Sequence, residues 1–393
     1  MSGSSKSAPL PYGRQSISEE DIAAVIAVLR SDFITQGPAI ARFEERVAEF
    51  CGARYAVAVS SATAALHIGA LALDLKPGDR LWTSPNTFVA SANCALYCGA
   101  GVDFVDIDPR TYNLDVGVLA AKLAAAAARG TLPKVLVPVH FSGQPCEMGP
   151  IGELCAAHGV RVLEDASHAV GAEYRGQRIG GRAGPDLTVF SFHPVKIITT
   201  GEGGMLLTND GALYERLLRL RSHGITRDMK QHGQPDGPWS YAQVDLGFNY
   251  RMTDLQAALG ASQMTRLPDF LERRRALAER YDRLLAPLPL VLPWQHPDTL
   301  SSWHLYVVRP DAMRTRVDRA ALYAGLRERG VHAQVHYIPV HTQPWYRALG
   351  FKPGDFPEAE HYYAGALSLP MYPGLSDADQ DRVVAVLQTL LAA

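Results

Sequence analysis

Lys196 is the residue in this 393-residue chain whose surroundings most suggest chemistry. It stands in Thr188–Met205, TVFSFHPVKIITTGEGGM, where a strand-like run (Leu187 to Phe192) opens into a polar turn. Its neighbours Val195, Ile197 and Ile198 are apolar, and a hydroxyl and glycine cluster, Thr199 to Gly204, follows. An amine stripped of hydration is disfavoured as ammonium and becomes a neutral nucleophile able to condense with an aldehyde. A second segment, Glu164-Asp165-Ala166-Ser167-His168, ends another apolar run. An acid there is costly unless paired, and Asp165 could hold the ring nitrogen of a pyridoxal-type cofactor protonated. A third, Ser60-Ser61-Ala62-Thr63, lies between a strand-like run and a helix. Its small residues let the backbone approach an anion, and the free N–H groups of the helix start suit a phosphate. Ser191, five residues before Lys196, is close enough to bind the same phosphate.

Each segment alone also has a plain reading: a Ser/Thr N-cap, a salt-bridged aspartate, a core histidine at 168, a lysine that snorkels. A strand-end acid, a lysine 31 residues later and a glycine-rich return are more specific together than apart. No G-x-G-x-x-G follows a strand, and neither G-x-x-x-x-G-K-[ST] nor H-E-x-x-H occurs, which disfavours a nicotinamide enzyme, a P-loop and a zincin. His332, His336 and His341 are spaced across a strand and loop in a way that argues against a metal site, so none is expected.

These residues need a scaffold that puts strand ends side by side. Short apolar runs at 55–59, 80–83, 102–106, 135–139, 160–165, 187–192 and 205–208 alternate with helical patterns. The helical stretches are 18–30, 39–51, to Leu73, from Pro85 to Tyr97, 115–129, 149–158, 210–222 and 253–264. Buried strands alternating with helices predict a mostly parallel sheet covered on both faces, with ligands at the carboxyl ends of its strands. A long charged helix over 269–286 reads as a connector to a second, smaller α/β region. There, strands are expected at 303–309 and 331–337 and helices at 318–329 and 376–391. The expected organisation is a disordered tail over 1–10, a large domain over 11–268 and a small C-terminal domain over 269–393.

The composition, 47% hydrophobic and 20% charged, is that of a soluble globular protein. A net charge of -2 gives no electrostatic case for nucleic acid or an acidic membrane surface, and no apolar run is long enough to span a bilayer. MSGSSKSAPL lacks the apolar core of a signal peptide. Five irregularly spaced cysteines suggest reduced thiols, hence a cytoplasmic protein.

The motifs SSATAALH (60–67), EDASHAVG (164–171), SFHPVKIITTGEGG (191–204) and LGFNYRMTDLQAALG (246–260) resemble those of the DegT/DnrJ/EryC1/StrS sugar-nucleotide aminotransferases. The likeness covers nearly the whole chain. It implies the aspartate aminotransferase fold (fold type I of the PLP-dependent transferases) and the cofactor pyridoxal 5'-phosphate (PLP). It also implies that Lys196 binds the cofactor covalently and moves protons, with Asp165 at the ring nitrogen. Ser191 and the backbone of Ala62 and Thr63 match the phosphate cup, and Phe88 falls where an aromatic residue lies against the ring. His168 occupies a position where many members have glutamine near the phenolic oxygen, which is a departure. Asn249 matches a residue that reaches the phosphate from a neighbouring subunit, implying a homodimer with shared sites.

PYGRQSISEEDIAAVIAVLRSDFITQGP, VHYIPVH and LSLPMYPGLSDADQDRV are most similar to the branch serving pseudaminic acid biosynthesis. That branch moves the amine of L-glutamate to C4 of a UDP-linked 4-keto-6-deoxy-N-acetyl-L-hexosamine. By the same resemblance Tyr12, Asp32, Phe33, Ile34, Thr35, His336 and Tyr337 are candidates for substrate contact. Related branches aminate C3 or C4 of TDP- or GDP-hexoses. Sugar 3-dehydratases of the same fold carry histidine in place of the lysine, which Lys196 argues against. A DNA-binding regulator is disfavoured by the charge and by the lack of a basic helix-turn-helix stretch.

Overall fold

The computed structural model describes residues 8–181, 184–228 and 237–392. In chain order its first half runs β1 (Leu10–Pro11), α1 (Glu19–Leu29), α2 (Pro38–Cys51), β2 (Tyr55–Val59), α3 (Ala62–Ala72), β3 (Arg80–Thr83), α4 (Ala90–Tyr97), β4 (Gly101–Phe104), α5 (Val116–Arg129), β5 (Val135–Val137), α6 (Met148–His158) and β6 (Arg161–Asp165). There follow the short β7 (Glu173–Tyr174) and β8 (Gln177–Arg178), then β9 (Leu187–Ser191), β10 (Gly204–Thr208), α7 (Gly211–Arg221), β11 (Ile225–Thr226), β12 (Ala242–Gln243), α8 (Asp254–Thr265) and α9 (Leu267–Leu285). The C-terminal part is β13 (Leu290–Val291), β14 (Thr299–Leu300), β15 (Tyr306–Pro310), α10 (Arg319–Glu328), β16 (Val331–His332), α11 (Pro344–Ala348), α12 (Pro357–Gly365), β17 (Leu367–Leu369) and α13 (Asp377–Leu391).

The central sheet has seven strands in the order β2-β10-β9-β6-β5-β3-β4. Only β10 runs against its neighbours, so the sheet is mostly parallel, as the alternation predicts. Successive strand residues face opposite layers. Met205 and Leu207 join Phe43, Leu119 and Ile151 on one side, while Leu206 joins Leu66, Ile68 and Leu217 on the other. A separate apolar cluster gathers Leu277, Tyr281 and Leu285 of α9 with Leu322 and Leu326 of α10, Val383 and Leu387 of α13, and Tyr306 and Leu369.

Four expectations are corrected. The expected tail, residues 1–10, lies largely outside the described residues. Its last member, Leu10, is buried and pairs with Val331 in a parallel ladder, so this residue joins the C-terminal cluster. The helix expected from Pro85 starts at Ala90, because the Asn86 N–H donates to Ser84 Oγ and the Thr87 and Ser91 hydroxyls bond each other at 2.7 Å. The strand expected from Trp303 starts at Tyr306, because Trp303 takes a left-handed φ of 50° and Ser302 and Leu305 donate their N–H groups to Gly143 and Ser142. The strand expected over 331–337 ends at His332, and after a lone bridge from Gln334 to Ser368 the chain turns inward.

Candidate active site

The register of three strands builds the site. Gly204, at the start of β10, lies opposite Val59 of β2 on one side and Ser191 of β9 on the other. Asp165, the end of β6, lies opposite Val189. The carboxyl ends of β2, β6 and β9 therefore stand side by side at one edge of the sheet. Between β9 and β10 the loop is closed by Phe192 N–H to Gly203 O and Thr200 N–H to Phe192 O, both 3.0 Å, and it carries Lys196 at its tip. A cavity of about 440 Å³ opens there.

At one end of the cavity lie Ser61, Ala62 and Thr63, with Ser191 beside them. Ser61 caps α3, accepting from Ala64 N–H at 3.1 Å, and leaves the first-turn amides without intrahelical acceptors. Gly204 is needed for this approach: a Cβ there would sit 2.6 Å from the Ala62 nitrogen and the Ser61 carbonyl.

Asp165 is buried, and its carboxylate is fixed before any ligand arrives. Oδ2 accepts from Ser91 Oγ at 2.6 Å, and Oδ1 accepts from Ser167 N–H at 3.1 Å. Lys196 is partly buried in the cavity wall. Desolvation pulls its ammonium down to about 8, against the Asp165 charge, which favours the cation.

The remaining wall is aromatic. His168 Nε2 lies 3.1 Å from the Tyr337 hydroxyl, and His168 Nδ1 accepts from Ser142 N–H at 3.2 Å. His304 packs on His168 with ring centroids 4.3 Å apart, and His336 bonds Ser368 Oγ at 2.9 Å. Burial, then the Lys196 charge, brings His336 down to about 3, while burial, then Lys196 and His336, holds His168 well below its usual range. Burial raises the Tyr337 and Tyr12 phenols. All these rings are therefore neutral at neutral pH. Behind them Arg274 of α9, fully buried, donates to the carbonyls of Trp303, His304 and Met371, and burial lowers it to about 9. Met371 N–H in turn holds the Tyr12 carbonyl at 2.9 Å.

The structure thus brings Lys196, Asp165, His168, Ser191, Ala62, Thr63 and Phe88 to one cavity, and with them Tyr12, His336 and Tyr337. It does not bring the rest. Asp32, Phe33, Ile34 and Thr35 are exposed and line no part of this cavity, because Thr35 is bridged to Thr253 and the segment packs toward the start of α8. Asn249 is also exposed and outside it, bridged to Ser222. Sequence reasoning missed Ser91, His304 and Ser142. Ser91 falls in SPNTFVAS, one turn after Thr87, a spacing that could have marked it. Ser142 lies in a short turn without a periodic signal, and His304 falls in the stretch expected as a strand, whose pattern does not show that it faces this cavity.

The donor set fits a phosphate-bearing aldehyde with a basic ring. A helix start cleared by a glycine suits the phosphate, a fixed buried carboxylate suits the ring nitrogen, and an amine shifted toward neutrality suits the aldehyde. Among the described residues no group of His, Cys, Asp or Glu could hold a metal ion. All five cysteines are free and buried. No helix among the described residues is long and apolar enough to cross a membrane.

Comparison with known proteins agrees with this geometry. A model of the DegT/DnrJ/EryC1/StrS aminotransferase family matches residues 15–388. The chain is 41% identical over 385 residues to SpsC, a spore coat polysaccharide biosynthesis protein of Bacillus subtilis, covering 97% of each. PseC of Helicobacter pylori, an aminotransferase involved in the biosynthesis of pseudoaminic acid, superposes with a TM-score of 0.88 at 31% identity, over 98% of this chain and 99% of that one. The PLP form of Spr1654 of Streptococcus pneumoniae gives 0.88 at 28% identity, over 98% and 99%.

Proposed function

The chain belongs to the DegT/DnrJ/EryC1/StrS aminotransferase family, and from that premise we propose that it moves the amino group of L-glutamate to C4 of a UDP-linked 4-keto-6-deoxy-N-acetyl-L-hexosamine. That it is a PLP-dependent sugar aminotransferase follows from the family and its solved relatives. The choice of sugar is supported by the likeness to PseC, whose solved structure covers nearly the whole chain. The observation that carries the site assignment is the convergence of Lys196, Asp165 and the start of α3 on one cavity.

When bound, PLP supplies an aldehyde to carry the amino group and a ring that takes up an electron pair as a C–H bond breaks. The chain's residues divide the remaining work. Ser191 Oγ and the Ala62 and Thr63 amides would hold the phosphate. Asp165, oriented by Ser91 and the Ser167 amide, would keep a positive charge at the ring nitrogen. By the family resemblance Phe88 would pack on the cofactor ring and His168 would line the same end of the cavity. Lys196 Nζ, shifted to about 8, can take up a proton and return it near neutral pH. Glutamate leaves as 2-oxoglutarate, and the sugar's keto oxygen leaves as water.

Asn249 of the partner subunit would complete the phosphate site of a homodimer. The exposed Phe33 and Ile34 (54% and 53%) and Leu246 (81%) are apolar surface that a second copy would cover. The test is a panel of nucleotide keto-sugars with glutamate, read by product mass and amine position. Turnover of a TDP-hexose with no conversion of the UDP-N-acetyl keto-sugar would overturn the choice of substrate. Two-substrate kinetics should be ping-pong.

A further inference from the structure

The Tyr337 hydroxyl has one hydrogen-bond partner among the described residues, His168 Nε2, and the direction of that bond can be read from the other side of the imidazole. Ser142 N–H points at His168 Nδ1 at 3.2 Å. A backbone amide can only donate, so Nδ1 is the bare nitrogen and the ring proton sits on Nε2. Nε2–H therefore donates to the phenol oxygen, and the phenol's own proton is left to point elsewhere. Tyr337 lines the cavity beside Lys196. The ring at 168 is also kept neutral, since its burial and the nearby Lys196 and His336 oppose a second proton.

The surroundings hold this arrangement firmly. Ser142 takes a left-handed φ of 61°, and its Oγ donates to Leu305 O at 2.7 Å, which aims its amide at His168. Ser302 Oγ donates to the His168 carbonyl at 2.8 Å, and the His304 ring covers one face of the imidazole. A non-glycine residue held left-handed beside a binding cavity is a mark of pre-organisation.

We propose that His168 is a positioning residue that aims the Tyr337 hydroxyl proton into the cavity, where it donates to the keto oxygen of the sugar substrate. This rests on the sugar aminotransferase reading. It adds that Tyr337 polarises the carbonyl through a hydrogen bond whose sense is set by the Ser142–His168 pair, while no proton leaves the imidazole. Glutamine at 168 could do the same, its oxygen accepting from Ser142 and its amide donating to Tyr337. Leucine could do neither.

The test compares His168→Gln, His168→Leu, Tyr337→Phe and the His168→Leu/Tyr337→Phe double variant in separate half-reactions of the holoenzyme, followed by cofactor absorbance. Tyr337→Phe should slow the keto-sugar half-reaction about tenfold, as expected for one lost hydrogen bond, and leave the glutamate half-reaction within about twofold; His168→Leu should show the same tenfold loss in the ratio of its keto-sugar to its glutamate half-reaction rate. His168→Gln should recover most of the loss, and the double variant should be no slower than Tyr337→Phe. If His168→Leu slows the Tyr337→Phe background by the same factor, or slows both half-reactions alike, the positioning role is refuted. Neutron diffraction of the cofactor-free protein provides a readout independent of turnover. Hydrogen on Nε2 and a phenol hydrogen turned to the cavity support the proposal; hydrogen on Nδ1 overturns it. A wild type that aminates no keto-sugar while showing this tautomer would reject the substrate reading and the keto-oxygen acceptor together, and keep the orientation of Tyr337.

Discussion

Lys196 should capture its cofactor with a pH dependence that an exposed lysine cannot show. With its ammonium brought from 10.5 to about 8, the neutral share at pH 7 is about 9%, against about 0.03% for an unshifted amine, a difference of roughly 300-fold. The neutral form accumulates as pH rises. The rate at which cofactor-free protein captures PLP, followed by absorbance, should therefore climb up to about pH 8 and level off above it. A rate still climbing tenfold per unit beyond pH 9 would refute the desolvation argument. Asp165 provides a check on the sign. Its negative charge favours the cation and opposes desolvation, so Asp165→Asn should move the levelling point to lower pH, and a move upward would show the pairing to be misread. The same shift has a stability side. A base depressed in the folded state costs stability in full below about pH 8, and that cost vanishes as pH rises through the unfolded value near 10.5. At about 1.4 kcal/mol per unit the ceiling is about 3.5 kcal/mol, and screening by water in the open cavity brings the expectation nearer 1–2 kcal/mol. Lys196→Met, which keeps the alkyl stem, should raise the stability of the cofactor-free protein by that amount at pH 7 and by almost nothing at pH 10.5 in denaturant titrations.

Three further outcomes follow from single contacts. Gly204→Ala places a Cβ 2.6 Å from the Ala62 nitrogen, so it should weaken PLP binding at least tenfold in equilibrium dialysis and destabilise the fold by about 1–3 kcal/mol. Ser91→Ala removes a 2.6 Å bond to the buried Asp165 carboxylate, and urea unfolding should register a loss of about 1.5–3 kcal/mol. Lys196→Met and Asn249→Ala subunits, each inactive or weak alone, should regain turnover when refolded together if Asn249 of the partner subunit serves each site. Hybrids no more active than the parents would remove Asn249 from the site.

The chemical half of the site was legible because regular elements position it. Ala62, Thr63, Asp165 and Ser191 sit at or just beyond strand ends, and apolar runs of strand length locate strand ends well enough to group them. The register Val59–Gly204–Ser191 then places them together, with no information needed beyond strand order. Asp32–Thr35 and Asn249 are not placed by strand ends. Their local sequence carries the family resemblance, but whether a segment faces its own cavity or a neighbour's depends on surfaces that one chain's periodicity does not encode.

The histidine wall was illegible for a different reason. The sequence marks His168 only as a core histidine or, by resemblance, as the residue at a glutamine position, and it does not mark Ser142 or His304, because the bonds joining them cross from one loop to another. Two non-glycine residues in the left-handed region, Ser142 at 61° and Trp303 at 50°, turn those loops toward each other. Each carries a cost on the order of 1–2 kcal/mol, and neither residue type signals such a conformation. Gly143, between them in space, has a φ of 98° and lies so near Ser302 Oγ that a Cβ would stand 2.5 Å from it. The strain is offset locally by Ser142 Oγ on Leu305 O, Ser302 N–H on Gly143 O and Arg274 on three carbonyls. Most of these bonds bring nothing to the cofactor end of the cavity. They fix the loops that carry His168, His304 and, through Met371, Tyr12, and so pin the wall opposite Lys196 and Asp165. Asp165 and Ser191 thus stand on the sheet and Lys196 on the loop between β9 and β10, while the opposite wall hangs on Ser142 and Trp303, so substitutions at Ser142 or Trp303 should slow the keto-sugar half-reaction more than the glutamate half-reaction when each is followed by cofactor absorbance.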